Sequence, residues 1–200
     1  MSAPLGILFP GQGAQYVGMG KALYEGAAGR AVLDAAAAVL GGTFLPALFD
    51  GPQQALTATD VSQPAIYAVS LAAWETFRAQ FPQAQIAAMA GLSLGEYSAL
   101  TAAGSLPLAA GVRLVQQRGI FMQQAAQNRP GAMASVLNLD ADKIAEICAA
   151  IPGAHVANYN CPGQVVISGD ADAVKRAAAE CQTAGAKRVI PLQVSGAFHS

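Results

Sequence analysis

Two hundred residues, 54% of them apolar and 12% charged, are enough to bury a substantial core and exclude a disordered chain. A net charge of −1 gives neither a basic field for nucleic acid nor a polybasic patch for a membrane surface. Cys148, Cys161 and Cys181 lack CxxC spacing and are odd in number, so they read as buried thiols of a reducing cytosol rather than disulfides or zinc ligands.

Met1-Ser2-Ala3-Pro4 lacks the cationic start and apolar run of a signal peptide, and no stretch of ~18 apolar residues predicts a membrane span. Leu5 to Phe9 is a short apolar run stopped by Pro10-Gly11-Gln12-Gly13, the pattern of a buried strand entering a loop. Ala22 to Leu40 predicts two helical stretches broken near Gly26-Gly29 and ended by Gly41-Gly42. A further helix is expected from Ser62-Gln63-Pro64 to Phe77, with Ser62 as its cap and Pro64 in its first turn. Ile86 to Ala90 is a second buried strand, followed at once by Gly91-Leu92-Ser93-Leu94-Gly95 and a helix from Leu94 to Ala102. Pro107 opens a helix reaching about Ala126, and Asn128 to Gly131 reads as a linker.

The remaining pattern differs. Strands are expected at Ala132 to Leu139, His155 to Tyr159, Gln164 to Ser168 and Arg188 to Val194, with helices at Ala141 to Ala150 and Ala171 to Thr183. A turn at Asn160-Cys161-Pro162-Gly163 joins the two middle strands. The order β-α-β-β-α-β is that of a ferredoxin-like module. The expected fold is therefore α/β: a large domain over residues 1–128 and 196–200, with a ferredoxin-like α+β subdomain inserted over 129–195.

G-x-S-x-G between a strand and a helix is the pattern of a nucleophile elbow, where glycines permit a sharp turn that lifts the serine hydroxyl off the sheet edge. The helix that follows aims free N–H groups, chiefly that of Leu94, at an oxyanion forming there. Ser93-Leu94-Gly95-Glu96 is equally a capping box, in which the serine needs no chemistry. A serine nucleophile needs a base, and the chain offers two histidines. His155 begins a strand as an exposed or edge residue. His199, in Gly196-Ala197-Phe198-His199, stands where the chain leaves the inserted subdomain; it is either the base or a residue of the junction. Arg118 lies on an otherwise apolar or neutral helix and wants a carboxylate or phosphate partner, unless it merely packs by its stem. Arg113 belongs to a different face of that helix and is expected to be solvated.

Five segments in order resemble the signatures of malonyl-CoA:acyl carrier protein transacylases. They are Phe9-Pro10-Gly11-Gln12-Gly13-Ala14-Gln15, Gly91-Leu92-Ser93-Leu94-Gly95-Glu96-Tyr97-Ser98-Ala99-Leu100, Gln117-Arg118-Gly119, Asn158 to Val165 and Gly196-Ala197-Phe198-His199-Ser200. The resemblance implies an α/β-hydrolase-like large domain carrying a ferredoxin-like insert. It implies Ser93 as nucleophile, His199 as base, the backbone N–H groups of Gln12 and Leu94 as oxyanion hole, and Arg118 as holder of the malonyl carboxylate. Phe198 before the histidine goes with malonyl use, and Asn160 either lines the pocket entrance or serves the turn. Leu92 stands where the family usually has His, which implies altered packing around the pocket. Family members also run on past the position of Ser200, so the large domain is expected to be incomplete at its C-terminus.

The expected activity is transfer of malonyl from malonyl-CoA to the phosphopantetheine thiol of acyl carrier protein in fatty acid biosynthesis, with no resident cofactor, no metal and a monomeric chain. A stand-alone polyketide-type acyltransferase or an acyl hydrolase is the alternative within enzymes. A truncated, non-catalytic remnant that binds CoA or carrier protein is the alternative outside them.

Overall fold

Strand β1, Leu5–Phe9, pairs in parallel with β2, Ile86–Gly91, in the register Ile7 to Met89 and Phe9 to Gly91. Both strands lie where their apolar runs predict them, but they are not buried as expected: in β1 only Phe9 is buried while Leu8 is 81% exposed, and no residue of β2 is fully buried. The computed structural model describes residues 3–192, 194 and 196–200, and the chain divides into two units, Met1–Phe121 and Met122–Ser200. The fold is mixed α/β.

In the first unit, Gly26 separates α1, Lys21–Glu25, from α2, Ala27–Leu40. Two short helices follow that the sequence reading left unassigned: α3, Phe44–Asp50, and α4, Gln53–Thr57. The long helix α5 spans Thr59–Gln80. It starts three residues before the expected cap. Ser62 is already helical and buried: its N–H donates to the Ala58 carbonyl at 2.7 Å and its hydroxyl to the Thr59 carbonyl at 3.4 Å. Pro64 consequently sits inside the helix, where its lack of an N–H leaves only the Asp60 carbonyl without a helical donor. Helix α6 covers Leu94–Ala102, and α7, Leu108–Asn128, belongs to this unit as far as Phe121. Leu33, Leu48, Leu56, Tyr67, Leu94 and Val112 are fully buried and join these helices and β1 in one apolar core.

The second unit carries β3, Ala132–Leu137, α8, Ala141–Ala150, β4, Ala154–Cys161, β5, Gln164–Gly169, α9, Ala171–Thr183, and β6, Arg188–Pro191. This is the expected succession of elements. Its sheet is antiparallel throughout, in the spatial order β4-β5-β3-β6. Asp140 caps α8 as its side chain accepts from the N–H groups of Asp142 and Lys143. Val136, Ile144, Ile167, Ala177 and Cys181 fill the core between sheet and helices.

Several boundaries differ from expectation, and β3 ends at Leu137 instead of Leu139. β4 extends to Cys161, so the turn to β5 narrows to Pro162-Gly163, with Gly163 at φ 82°. β6 ends at Pro191, although Leu192 still donates to the Met133 carbonyl. Of the strand expected to run to Val194, Gln193 lies outside the described residues, as do Met1, Ser2 and Ser195.

Candidate active site

β2 ends at Gly91 and α6 begins at Leu94, so Leu92 and Ser93 make the whole change of direction. Close packing of backbone requires both flanking glycines. A Cβ on Gly91 would lie 1.9 Å from the Gly95 carbonyl carbon, and one on Gly95 would lie 2.3 Å from the Phe9 carbonyl oxygen. Ser93 is held at φ 55° and ψ −98°, a strained conformation for a residue with a Cβ. Such strain costs about 1–3 kcal/mol and persists where surrounding structure enforces it. The side chain makes no capping bond to α6, and Glu96 is exposed, so the capping-box reading does not hold. The Ser93 hydroxyl instead accepts a hydrogen bond of 2.7 Å from Arg118 Nη2.

Gly119 explains how Arg118 arrives there. A Cβ at Gly119 would lie 2.8 Å from both the Thr59 carbonyl oxygen and the Asp60 Cα, so α7 crosses the start of α5 at backbone contact. Arg118 Nη1 then donates to Gln63 Oε1 at 2.6 Å, and Gln63 is fully buried. The guanidinium carbon stands 5.8 Å from the centroid of the Tyr97 ring, within cation–π range. Both hydrogen-bond acceptors are neutral, and none of the ion pairs among the described residues includes Arg118. The guanidinium fork has more donors than these two acceptors use. Arg113 is exposed, as expected from its different face.

Gln12 belongs to the loop after β1. A Cβ on its neighbour Gly11 would lie 2.8 Å from the Leu92 carbonyl oxygen, and Leu92 N–H donates to the Phe9 carbonyl at 3.2 Å. The loop therefore runs against the elbow. The Gln12 side chain donates to Thr59 Oγ1 at 3.3 Å. Leu94 is the first residue of α6, where the backbone N–H has no acceptor in a preceding turn. Ser93, Leu94, Gln12 and Arg118 thus converge in the first unit.

His199, Phe198 and Asn160 belong to the second unit. An isolated bridge between Pro130 and Gly196 and a bond from Ser200 Oγ to the Ala197 carbonyl hold the segment carrying His199, which has φ 62°. Phe198 lines a cavity of about 410 Å³ with Arg129, His155 and Asp170. Asn160 is exposed on β4 at a register irregularity between Tyr159 and Cys161, rather than in the turn. His155 is exposed on the edge strand, as expected. Of the three cysteines expected to be buried, Cys161 is exposed; burial pushes the Cys148 thiol up, and burial, then Cys148 and Glu180, push Cys181 to about 11, so neither of these two is a ready thiolate nucleophile. Gln63 and Tyr97 were missed as site residues. The signal for Gln63 was an amide at a position the helix buries, misread as part of a helix start.

Residues 7–200 match the family described as "Acyl transferase domain". The chain belongs to the acyl transferase domain family. This acyl transferase domain is 42% identical over 98% of its length to the malonyl CoA-acyl carrier protein transacylase of Bacillus subtilis (strain 168), and covers 63% of that protein. It also resembles the crystal structure of an acyl carrier protein S-malonyltransferase from Vibrio cholerae, with a TM-score of 0.89 and 43% identity over 96% of this chain and 64% of the other. A malonyl-transacylase solved in complex with a type II PKS acyl-carrier protein gives a TM-score of 0.91 at 38% identity, over 98% of this chain and 64% of that one. The acyl transferase domain thus spans somewhat under two thirds of the length of these relatives. Among its described residues, no helix is long and apolar enough to cross a membrane, and no group of three or more His, Cys, Asp or Glu is arranged for a metal ion.

Proposed function

We propose that the protein is a malonyl-CoA:acyl carrier protein transacylase, a cytoplasmic enzyme of fatty acid biosynthesis that works through an acyl group carried on Ser93. The observation that carries this reading is an arginine guanidinium 2.7 Å from the hydroxyl of a serine on a strained elbow, with neutral groups as its hydrogen-bond partners. An acyl group esterified to Ser93 with a second, free carboxylate would find its counter-ion within reach, and a bidentate carboxylate is a stronger partner than an amide or a hydroxyl.

In the proposed reaction His199 takes the proton of Ser93 as Oγ bonds to the thioester carbon of malonyl-CoA. The N–H groups of Leu94 and Gln12 stabilise the oxyanion, the carbon–sulfur bond breaks, and the proton passes to the CoA thiolate. The malonyl ester then rests with its carboxylate on Arg118 and its methylene near Phe198, with Asn160 at the pocket entrance. The phosphopantetheine thiol of acyl carrier protein gives its proton to His199 as its sulfur attacks the ester, the carbon–oxygen bond breaks, and the proton returns to Ser93. In this reading the β-α-β-β-α-β unit is a ferredoxin-like subdomain over residues 129–195, inserted in an α/β-hydrolase-like domain over 1–128 and 196–200. The chain acts as a monomer without a resident cofactor.

The test compares transfer of malonyl and acetyl groups from CoA to holo acyl carrier protein by the wild type and Arg118→Ala. The variant is expected to lose malonyl transfer ~100-fold or more while acetyl transfer does not fall, because only the malonyl group has a carboxylate to lose. Equal losses for both donors would remove Arg118 from carboxylate recognition.

A further inference from the structure

In the resting site Arg118 does not wait beside the nucleophile; it is bonded to it. The guanidinium donates through one nitrogen to Ser93 Oγ at 2.7 Å and through the other to the buried Gln63 Oε1 at 2.6 Å. A serine oxygen has few lone pairs, and a charge-assisted donor on one of them draws density from the oxygen and occupies an approach to it. We propose that this pair of bonds is a latch that sets acyl selectivity on the nucleophile itself: a carboxylate on the incoming acyl group draws Arg118 off Ser93, whereas an acyl chain without one leaves the hydroxyl tied.

Gln63 is the positioning residue of the latch. Its carbonyl is neutral, so it orients the fork without neutralising it, and an incoming carboxylate can displace it or bond beside it. The close α5–α7 crossing at Gly119 fixes Gln63 and Arg118 relative to each other. The Tyr97 ring, 5.8 Å from the guanidinium carbon, gives the cation a second resting surface on the helix that follows Ser93. Selectivity of this kind acts on the rate of acylation and not only on binding. It rests on the reading of Ser93 as nucleophile and Arg118 as carboxylate holder.

The experiment uses the full chain and an uncharged serine reagent, phenylmethanesulfonyl fluoride, whose sulfonyl group accepts Ser93 Oγ with loss of fluoride and a proton. Ser93 sulfonylation is followed by mass spectrometry in the wild type, Arg118→Ala, Arg118→Met and Gln63→Glu. Arg118→Met keeps the aliphatic stem and stands in should Arg118→Ala fail to fold. Releasing the latch should raise the sulfonylation rate about tenfold in either Arg118 variant. Gln63→Glu, isosteric with the wild type, should raise the KM for malonyl-CoA about tenfold, since a built-in carboxylate now competes for the fork, with a smaller change in kcat. An unchanged sulfonylation rate in folded Arg118 variants would overturn the latch, because a simple clamp leaves Ser93 untouched. A slower rate would overturn it too, by making Arg118 an activator. Because the reagent carries no carboxylate, the sulfonylation of the Arg118 variants reads the latch whether or not malonyl-CoA acylates the protein; failure of malonyl-CoA acylation counts against the proposed function alone.

Discussion

Gly91→Ala is the sharpest perturbation of the elbow. The added Cβ would lie 1.9 Å from the Gly95 carbonyl carbon, 2.0 Å from its oxygen and 2.5 Å from the Glu96 nitrogen. All three are backbone atoms, so no side chain can swing aside. Carbon atoms pack at about 3.5–4.0 Å, which means β2 and α6 must separate by roughly 1.5 Å or more at the turn. Overpacking that side chains can absorb costs about 1–3 kcal/mol, and here the backbone must move, so we expect ~3 kcal/mol or more. For a domain of this size that is a fall in Tm of roughly 6–12 °C. A shift of ~1 Å at a reacting atom can cost ~100-fold in rate, so labelling of Ser93 by a fluorophosphonate should nearly vanish. Gly6→Ala is the control. It adds the same methyl to β1, where nothing lies within 4 Å, and should leave both Tm and labelling close to wild type. A Gly91→Ala protein with unchanged Tm and labelling would refute the close-approach reasoning.

Two further outcomes follow from the second unit and the buried thiols. Asp140 holds the first turn of α8 through bonds of 3.0 and 3.2 Å to the N–H groups of Asp142 and Lys143, so Asp140→Ala should lower stability by ~1 kcal/mol in urea unfolding. Asp140→Asn should recover most of that loss. Cys181 keeps its proton to about 11 when folded against an ordinary 9.0, with Cys148 and Tyr67 shifted in the same direction. Between these values the unfolded chain binds fewer protons than the folded one, so stability is full below 9.0 and declines as pH rises through about 11. Urea midpoints should be lower at about pH 10.5 than at about pH 8, and the gap should narrow in Cys181→Ala; a gap that does not narrow contradicts the assignment to this thiol.

The elements most legible in the sequence were those bounded by strong local signals. Gly26 divides α1 from α2, and the strands of the second unit alternate or run apolar between turn residues. The start of α5 was not legible, because Pro64 normally marks a first turn, and only tertiary burial of Ser62 and Gln63 keeps it five residues inside a helix that begins at Thr59. Helices α3 and α4 are too short for periodicity to register. At the site, G-x-S-x-G told of the elbow, whereas the arginine on a neutral helix face, expected to meet a carboxylate or phosphate, has the neutral Gln63 and Ser93 as its hydrogen-bond partners. That Ser93 itself would accept from Arg118 was not legible, since it depends on the α5–α7 crossing at Gly119, a contact between segments about sixty residues apart in the chain. The capping-box alternative failed for a related reason: the Ser93 hydroxyl makes no capping bond to α6 and accepts from Arg118.

The central claim is that Ser93 carries the malonyl group. Intact mass spectrometry of the purified protein after brief exposure to malonyl-CoA, with Ser93→Ala alongside, tests it most directly. We expect a single malonyl adduct on the wild type and none on Ser93→Ala. A malonyl adduct that survives in Ser93→Ala, or a folded wild type that takes none, would contradict the account.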